Sequence, residues 1–196
     1  MSTPKDPLAQ SQVRKHYYLD EYVVIAPKRS HRPFTVSDKH KSGLSVKKTH
    51  LPIEDDPAVY ELTDEHGHWL VKAVKNLYPA LSADNPKAYG QQEIVLETSR
   101  EGTLFSQLPA EQITRVLQTY QQRVKALKQD SKIKHITVFK NHGFEAGASL
   151  AHTHSQITAI DFVPPRVAEE AAVFNKLYKR FGWDTNSPVF LYVGWG

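Results

Sequence analysis

One long amphipathic segment, which follows Leu108 and Pro109, constrains the fold of this chain more than any other feature. Its apolar residues recur at helical spacing, and Gln, Arg and Lys fill the other positions. The spacing predicts a helix with one apolar face, which another element must cover. Pro109 near the start and Glu111 in the first turn are typical of a helix N-terminus. The apolar set is Ile113, Val116, Leu117, Tyr120, Val124 and Leu127.

Short segments rich in β-branched and aromatic residues lie on both sides of this helix, and five of them are candidate strands. They are residues 22–25, 68–74, 93–98, 134–139 and 152–160. A second helix is predicted after Pro164 and Pro165, with Gly182 as its end. Strands outnumber helices and are close enough in sequence for antiparallel pairing. The sequence therefore predicts an α+β fold, an antiparallel sheet with helices packed on one face.

Composition excludes several classes of protein. The 196 residues include no Cys, which excludes a disulfide scaffold, a thiol nucleophile and every zinc site built on Cys ligands. The N-terminus lacks the pattern of a signal peptide, and no apolar run is long enough to span a bilayer. We therefore expect a cytoplasmic protein that does not act in a membrane.

The first 50 residues hold ten Lys and Arg against four Asp and Glu, whereas the rest of the chain is slightly acidic. Clustered basic residues suit a phosphate-bearing ligand or a nucleic acid, because they concentrate anions locally. A solvated surface arm is the more common explanation of such a run. A nucleic-acid binder ranks low, since only Tyr17 and Tyr18 accompany the basic residues as an aromatic platform.

The residues best suited to chemistry lie between Phe139 and Ile157. Because successive side chains of a strand alternate between faces, His152, His154 and Gln156 project to one side. The loop before them is rich in Gly and Ala, so its backbone N–H groups can approach phosphate oxygens closely. An imidazole beside it could attack phosphorus and carry a nucleotidyl group covalently. A surface pair of histidines, or half of a metal site, fits the same spacing.

The segment as a whole resembles the active-site motif of the galactose-1-phosphate uridylyltransferase family, the transferase branch of the histidine triad superfamily. Three further segments are similar to the family and follow its order, namely residues 22–33, 76–81 and 93–98. On these four segments the chain is identified as a member of the family, which implies a histidine-triad-like sheet. The motif reads Asn141, then Gly147-Ala-Ser149, then His152-Thr-His154-Ser-Gln156.

The resemblance implies roles for individual residues. His154 matches the nucleophile that becomes nucleotidylated, and Gln156 matches the amide that hydrogen-bonds the transferred phosphoryl group. Two asparagines match nucleotide contacts, a Gly and a Ser match phosphate contacts, and two arginines match the basic pair near the sugar phosphate. Without the resemblance, ordinary surface or turn roles are favoured for these six. They are Asn76, Asn141, Gly147, Ser149, Arg29 and Arg32.

The implied reaction is nucleotidyl transfer between a nucleotide sugar, such as UDP-glucose, and a sugar 1-phosphate, as in galactose metabolism. His154 would hold the nucleotidyl group between the two half-reactions. A nucleotide-sugar or dinucleotide phosphorylase or an adenylyltransferase stays open as an alternative, because Ser155 before Gln156 is especially like those relatives. A catalytically silent nucleotide-binding domain stays open as well.

The sequence departs from the family at its structural zinc site. Many members bind zinc through a Cys-x-x-Cys pair, a His before the long helix and the first His of the motif. Here the Cys pair is absent, and Glu101 stands where the family has the His before the long helix. Of the four ligands only His152 is left, with His50 and Glu101 as the nearest substitutes. These residues make a poor tetrahedral set. We therefore expect the family zinc to be lost, with His152 orienting or packing beside His154.

The family generally has two tandem histidine-triad-like domains, and this sequence ends just after the first. Residues 1–15 are polar and show no period, which predicts a flexible N-terminal arm. The resemblance predicts the nucleotidyltransferase domain over residues 16–164. Residues 165–196 are predicted to be a helix and tail that begin a missing or truncated second domain. A homodimer is expected, because self-pairing would bring Arg29 and Arg32 of one subunit towards His154 of another.

Overall fold

The fold comes from a computed structural model of the chain, and it describes residues 10–27, 29, 53–142 and 152–181, with side chains to residue 176. Seven strands and two α-helices lie within these residues. In chain order they are β1 (Gln12–Lys15), β2 (Tyr22–Ile25), β3 (Ala58–Thr63), β4 (Trp69–Lys75), β5 (Gly90–Leu96), α1 (Ala110–Leu127), β6 (His135–Phe139), β7 (His154–Ile160) and α2 (Pro165–Phe181).

Five of the strands form one antiparallel sheet in the order β3-β4-β5-β7-β6. The last strand in sequence, β7, therefore lies between β5 and β6. Its register places His154 opposite Leu96 on one side and Gln156 opposite Phe139 on the other. The strands β1 and β2 pair with each other in a separate small sheet. The predicted α+β architecture is confirmed.

Helix α1 packs across β3, β4, β5 and β6 and covers one face of the five-stranded sheet. Alternation along the strands aims every second residue at this helix. The resulting core is closely packed and excludes water, so it supplies much of the favourable hydrophobic free energy of folding. Its buried members are Val71, Ala73, Val95, Val116, Leu127, Ile157 and Ala159.

The buried face of α1 differs from the predicted apolar stripe. Leu117 is half exposed, whereas Gln112 and Thr119 are buried. Both polar side chains have hydrogen-bond partners: Gln112 Nε2 donates to the carbonyl oxygens of Leu70 and Glu97, and Thr119 Oγ1 donates to that of Arg115. Polar groups whose hydrogen bonds are all made can be buried at little cost. Gln112 and Thr119 can therefore face the core while Leu117 faces solvent.

The opposite face of the sheet has apolar packing at one end. A second core cluster of Leu81, Ala88 and Ile160 lies there, with Val13 and Phe162 packed against it. The small β1–β2 sheet attaches at this end, through Val13 N–H donating to the Lys87 carbonyl at 2.8 Å. This cluster lies at the Ile160 end of β7, and His154 begins the other end of that strand.

The five predicted strands and both predicted helices are present. Two further strands were not predicted: β3, and β1, which lies inside the segment expected to be a flexible arm. The small sheet therefore includes the last residues of that arm. Within the described part of the chain, no helix has the length and apolar composition needed to cross a bilayer.

Gly90 is a site where the fold allows no side chain. A Cβ atom at Gly90 would lie 2.4 Å from the carbonyl oxygen of Ala159 and 3.1 Å from Leu81 Cβ. Because the first contact is with backbone, Gly90→Ala should lower the free energy of unfolding by about 2 to 3 kcal/mol, measured by urea denaturation. The control is Gly67→Ala, where a Cβ meets nothing within 4 Å but φ is +83°. That control should cost about 1 kcal/mol, and an equal cost at both positions would contradict the steric argument.

Candidate active site

His154 begins β7 and is almost fully buried, with 6% of its surface exposed. Its Nδ1 atom lies 2.9 Å from the backbone carbonyl oxygen of His152. A carbonyl oxygen can only accept a hydrogen bond, so Nδ1 carries the proton in the neutral ring. The lone pair is then on Nε2. The backbone thus selects the tautomer in which Nε2 can act as a nucleophile or a base.

Gln156 and Asn141 lie near His154. Gln156 follows His154 by two residues, so it projects from the same face of the sheet, and it pairs with Phe139 of β6. Asn141 lies two residues beyond Phe139, towards the His154 end of β7. One end of the β6–β7 pair therefore carries an imidazole and two amides.

Asn76 lies two strands away from β7, at the end of β4. It follows β4, and its N–H donates to the Gln92 carbonyl at 2.9 Å. Its side-chain oxygen accepts from the N–H of Tyr78 at 3.0 Å, so it caps the turn that ends at Pro79. Gln92 is four residues along β5 from Leu96, the partner of His154. The turn role and a ligand-binding role are compatible, because an amide oxygen can accept two hydrogen bonds.

Arg29 lies in the turn after β2, with its N–H donating to the Ala26 carbonyl at 3.1 Å. Among the described residues, no hydrogen bond or ion pair joins Arg29 to His154 or Gln156. Three predicted site residues lie outside the described residues: Arg32, Gly147 and Ser149.

His152 is buried beside the ring of Trp69, and its Nε2 lies 3.7 Å from Glu54 Oε2. Its Nδ1 atom is buried and has no hydrogen-bond partner within the described part of the chain. The Lys72 ammonium donates to the backbone carbonyl of Glu54 at 2.6 Å, which places a cation next to this pair.

The residues around His152 do not fit the four-ligand zinc site of the family. Glu101 is exposed, and His50 lies outside the described residues. No group of three or more His, Asp or Glu side chains is placed to hold a metal ion in the described ranges. His152 and Glu54 supply two ligands at most, and a structural zinc site needs four.

Behind the His154 face, on the side of the sheet that α1 covers, lies a buried carboxylate that sequence analysis missed. Glu97 has no exposed surface. Its Oε1 accepts from the hydroxyls of Tyr120, at 3.0 Å, and Ser155. Its Oε2 accepts from Lys140 Nζ at 2.6 Å and from Thr153 Oγ1 at 2.7 Å. A carboxylate accepts up to about four hydrogen bonds, so Glu97 is saturated.

The two hydroxyls of this network also contact each other, with Tyr120 OH 2.6 Å from Ser155 Oγ. Burial, followed by the charge of Glu97, raises the pKa of Tyr120 far above its usual value, so the phenol keeps its proton. A signal for the network is present in the sequence: a charged residue at an inward position of a predicted strand must find a partner. The sequence alone does not say which residue that partner is.

Comparison with known proteins gives the family. The family model described as "Galactose-1-phosphate uridyl transferase, N-terminal domain" matches residues 58–164, more than half of the chain. This range runs from the first residue of β3 to the residue before α2, so it covers the whole five-stranded sheet and α1. This chain belongs to the galactose-1-phosphate uridylyltransferase family.

Individual relatives agree with this assignment. The chain is 29% identical over 177 residues to ADP-glucose phosphorylase of Arabidopsis thaliana, covering 80% of this chain and 50% of the relative. It is 29% identical over 181 residues to galactose-1-phosphate uridylyltransferase of Thermotoga maritima, covering 86% of this chain and 52% of that relative. The crystal structure of an ADP-glucose phosphorylase from Arabidopsis thaliana with bound ADP-glucose matches with a TM-score of 0.60 and 27% identity. The match covers 88% of this chain and 56% of that structure. The chain thus spans about half the length of these relatives.

The donor set around His152 predicts the metal content of the protein. Protein purified without chelators should contain far less than one zinc ion per chain by mass spectrometric metal analysis, because too few ligands surround His152 among the described residues. Incubation with a chelator should leave the urea midpoint of unfolding unchanged. A content near one zinc ion per chain, together with a lower midpoint after chelation, would contradict this prediction.

Proposed function

We propose that this chain is a nucleotidyltransferase domain in which His154 forms a covalent nucleotidyl intermediate. The observation that carries the proposal is the hydrogen bond from His154 Nδ1 to the His152 carbonyl, because it leaves the lone pair on Nε2. Membership of the uridylyltransferase family supports the class of reaction.

In the first half-reaction, the Nε2 lone pair attacks the α-phosphorus of a nucleotide sugar. A P–N bond forms, and the bond between the α-phosphorus and the bridging oxygen breaks, so that sugar 1-phosphate leaves with the electron pair. In the second half-reaction, a phosphate oxygen of another sugar 1-phosphate attacks the same phosphorus and regenerates the imidazole. The proton on Nδ1 stays in its hydrogen bond with the His152 carbonyl throughout.

The remaining site residues are proposed to bind and orient. Gln156, on the same sheet face, would donate its amide N–H to a non-bridging oxygen of the transferred phosphoryl group. Asn76 and Asn141 would contact the nucleotide, and Gly147 and Ser149 its phosphates. Arg29 and Arg32 would neutralise the sugar phosphate, since guanidinium groups match phosphate oxygens in geometry and charge. In a homodimer these arginines would reach the site of the other subunit.

Galactose 1-phosphate, which the names of the uridylyltransferase relatives contain, and UDP-glucose, which the family resemblance implies, are the proposed substrates. Residues 16–164 would form the nucleotidyltransferase domain, and residues 165–196 would lead into a second domain. A cytoplasmic location fits these phosphorylated sugars.

One observation favours a second candidate, a nucleotide-sugar phosphorylase. The chain is as similar to ADP-glucose phosphorylase as to a uridylyltransferase, at 29% identity to each. The two reactions share the first half-reaction and differ in the acceptor. When the isolated nucleotidyl protein is mixed with acceptors, a transferase should yield a nucleotide sugar from sugar 1-phosphate. A phosphorylase should instead yield a nucleoside diphosphate from inorganic phosphate.

His154→Ala should abolish the adduct that forms when the chain is incubated with UDP-glucose or ADP-glucose, because the substitution removes the nucleophile. Mass spectrometry of the intact protein measures the adduct, and its mass identifies the base. The matched control is His66→Ala, which alters an exposed histidine in the turn between β3 and β4 and should leave labelling unchanged. An adduct that survives in His154→Ala would rule out this nucleophile, and a parent chain without any adduct would favour a silent nucleotide-binding domain.

A further inference from the structure

Lys140 joins the strand ends that surround His154. It follows β6 directly, and its Nζ donates to three acceptors: Glu97 Oε2 at 2.6 Å, Thr153 Oγ1 at 2.7 Å and the backbone carbonyl of His154 at 2.9 Å. An ammonium group has three N–H donors, so all of them are used. One of these bonds ends on the backbone of His154 itself.

Glu97 holds the same segment from the other side. Its backbone N–H donates to the Thr153 carbonyl at 3.1 Å, which continues the β5–β7 pairing past Leu96. Its carboxylate accepts from the hydroxyls of Thr153 and Ser155, the two residues that flank His154 in sequence. Gln112 of α1 in turn donates to the Glu97 carbonyl at 2.8 Å. The side chains on both sides of His154, and the carbonyl of His154 itself, are thus bonded to one ion pair, in which Glu97 is buried and Lys140 is partly buried.

We propose that the Glu97–Lys140 ion pair is a positioning device for His154. By fixing the backbone from Thr153 to Ser155, the pair holds the imidazole where Nδ1 meets the His152 carbonyl, and so keeps the lone pair on Nε2. The pair lies on the α1 face of the sheet and the imidazole projects from the other. Glu97 and Lys140 therefore act through the strand and not on the substrate. Their effect on catalysis rests on the proposed function of His154.

A second ion pair with a buried carboxylate serves as a comparison. Arg123 of α1 donates from Nε and Nη2 to the two carboxylate oxygens of Glu93, at 2.8 Å and 2.7 Å. Glu93 lies within β5, four residues before Glu97, which directly follows that strand, and the partner of Glu93 on β7 is Ile157. Replacing a buried pair by neutral groups of similar size is often tolerated, whereas removing one partner leaves an uncompensated charge. Each pair is therefore tested by replacing both of its members together.

The test compares two double variants of the full chain, Glu97→Gln with Lys140→Met and Glu93→Gln with Arg123→Met. Each removes one buried carboxylate and one cation at similar volume. We expect the Glu97/Lys140 double variant to form the nucleotidyl adduct about ten- to a hundredfold more slowly in a single turnover at saturating UDP-glucose, because a small misplacement of a reacting group has effects of this size. The KM for UDP-glucose should change much less. The Glu93/Arg123 double variant should keep the parental rate even if its urea midpoint falls as far as that of the Glu97/Lys140 variant.

A second measurement does not require turnover. The ¹⁵N chemical shifts of the His154 ring, assigned by their loss in His154→Ala, should show the Nδ1–H tautomer in the parent chain and in the Glu93/Arg123 variant. The Glu97/Lys140 variant should show a mixture of tautomers. If the parent chain forms no adduct, the proposed function fails, and the ring shifts still test the positioning role.

The inference is overturned if the folded Glu97/Lys140 variant keeps both the parental rate and the parental tautomer, or if the Glu93/Arg123 variant loses rate equally. If the Glu97/Lys140 variant does not fold, Thr153→Val tests the inference instead. This substitution preserves side-chain shape and deletes the Thr153 hydroxyl bonds to Glu97 and Lys140, but keeps the ion pair. Thr153→Val should slow adduct formation and change the tautomer of His154 in the same direction as the double variant, but less. If both the rate and the tautomer stay parental, the inference is also overturned.

Discussion

The interaction on which the rest of the structure depends is the saturated carboxylate of Glu97. It accepts hydrogen bonds from a helix, from the residue that follows β6 and from two residues next to the start of β7. A buried charge is costly unless it is paired and hydrogen-bonded, so these elements can come together only in the arrangement that completes the set. An apolar contact at the same place would tolerate sliding, whereas a carboxylate with four donors fixes positions.

One face of the sheet provides structural support, and the other carries the residues of the proposed chemistry. The face under α1 carries the apolar core and both ion pairs whose carboxylates are buried. The opposite face carries His152, His154 and Gln156 at one end and a small apolar cluster at the other. Because neighbouring residues of β7 alternate between faces, each functional side chain has a supporting residue directly beside it in sequence. Thr153 and Ser155 support His154 in this way.

The sequence predicted the α+β class, the long helix and five of the seven strands, since apolar periodicity and β-branched runs are local signals. It missed β3, a half-exposed strand at the sheet edge, and β1, whose regularity comes from pairing with β2. The motif led to His154 and Gln156, but the tautomer of His154 depends on a backbone bond that only coordinates describe. The Glu97 network joins residues as far apart as 97 and 155, which no local pattern reveals.

The position of β7 in the middle of the sheet has a consequence for how the chain folds. The strands β3, β4 and β5 can pair as soon as they are made, whereas among the described strands β6 pairs only with β7. The sheet therefore closes through contacts of long sequence separation, such as Glu93 with Ile157, which is the slow kind of step. Residues 154–160 arrive last and join two otherwise separate parts. The proposed nucleophile thus lies on the strand that completes the sheet, so a chain that holds His154 in place has already closed its fold.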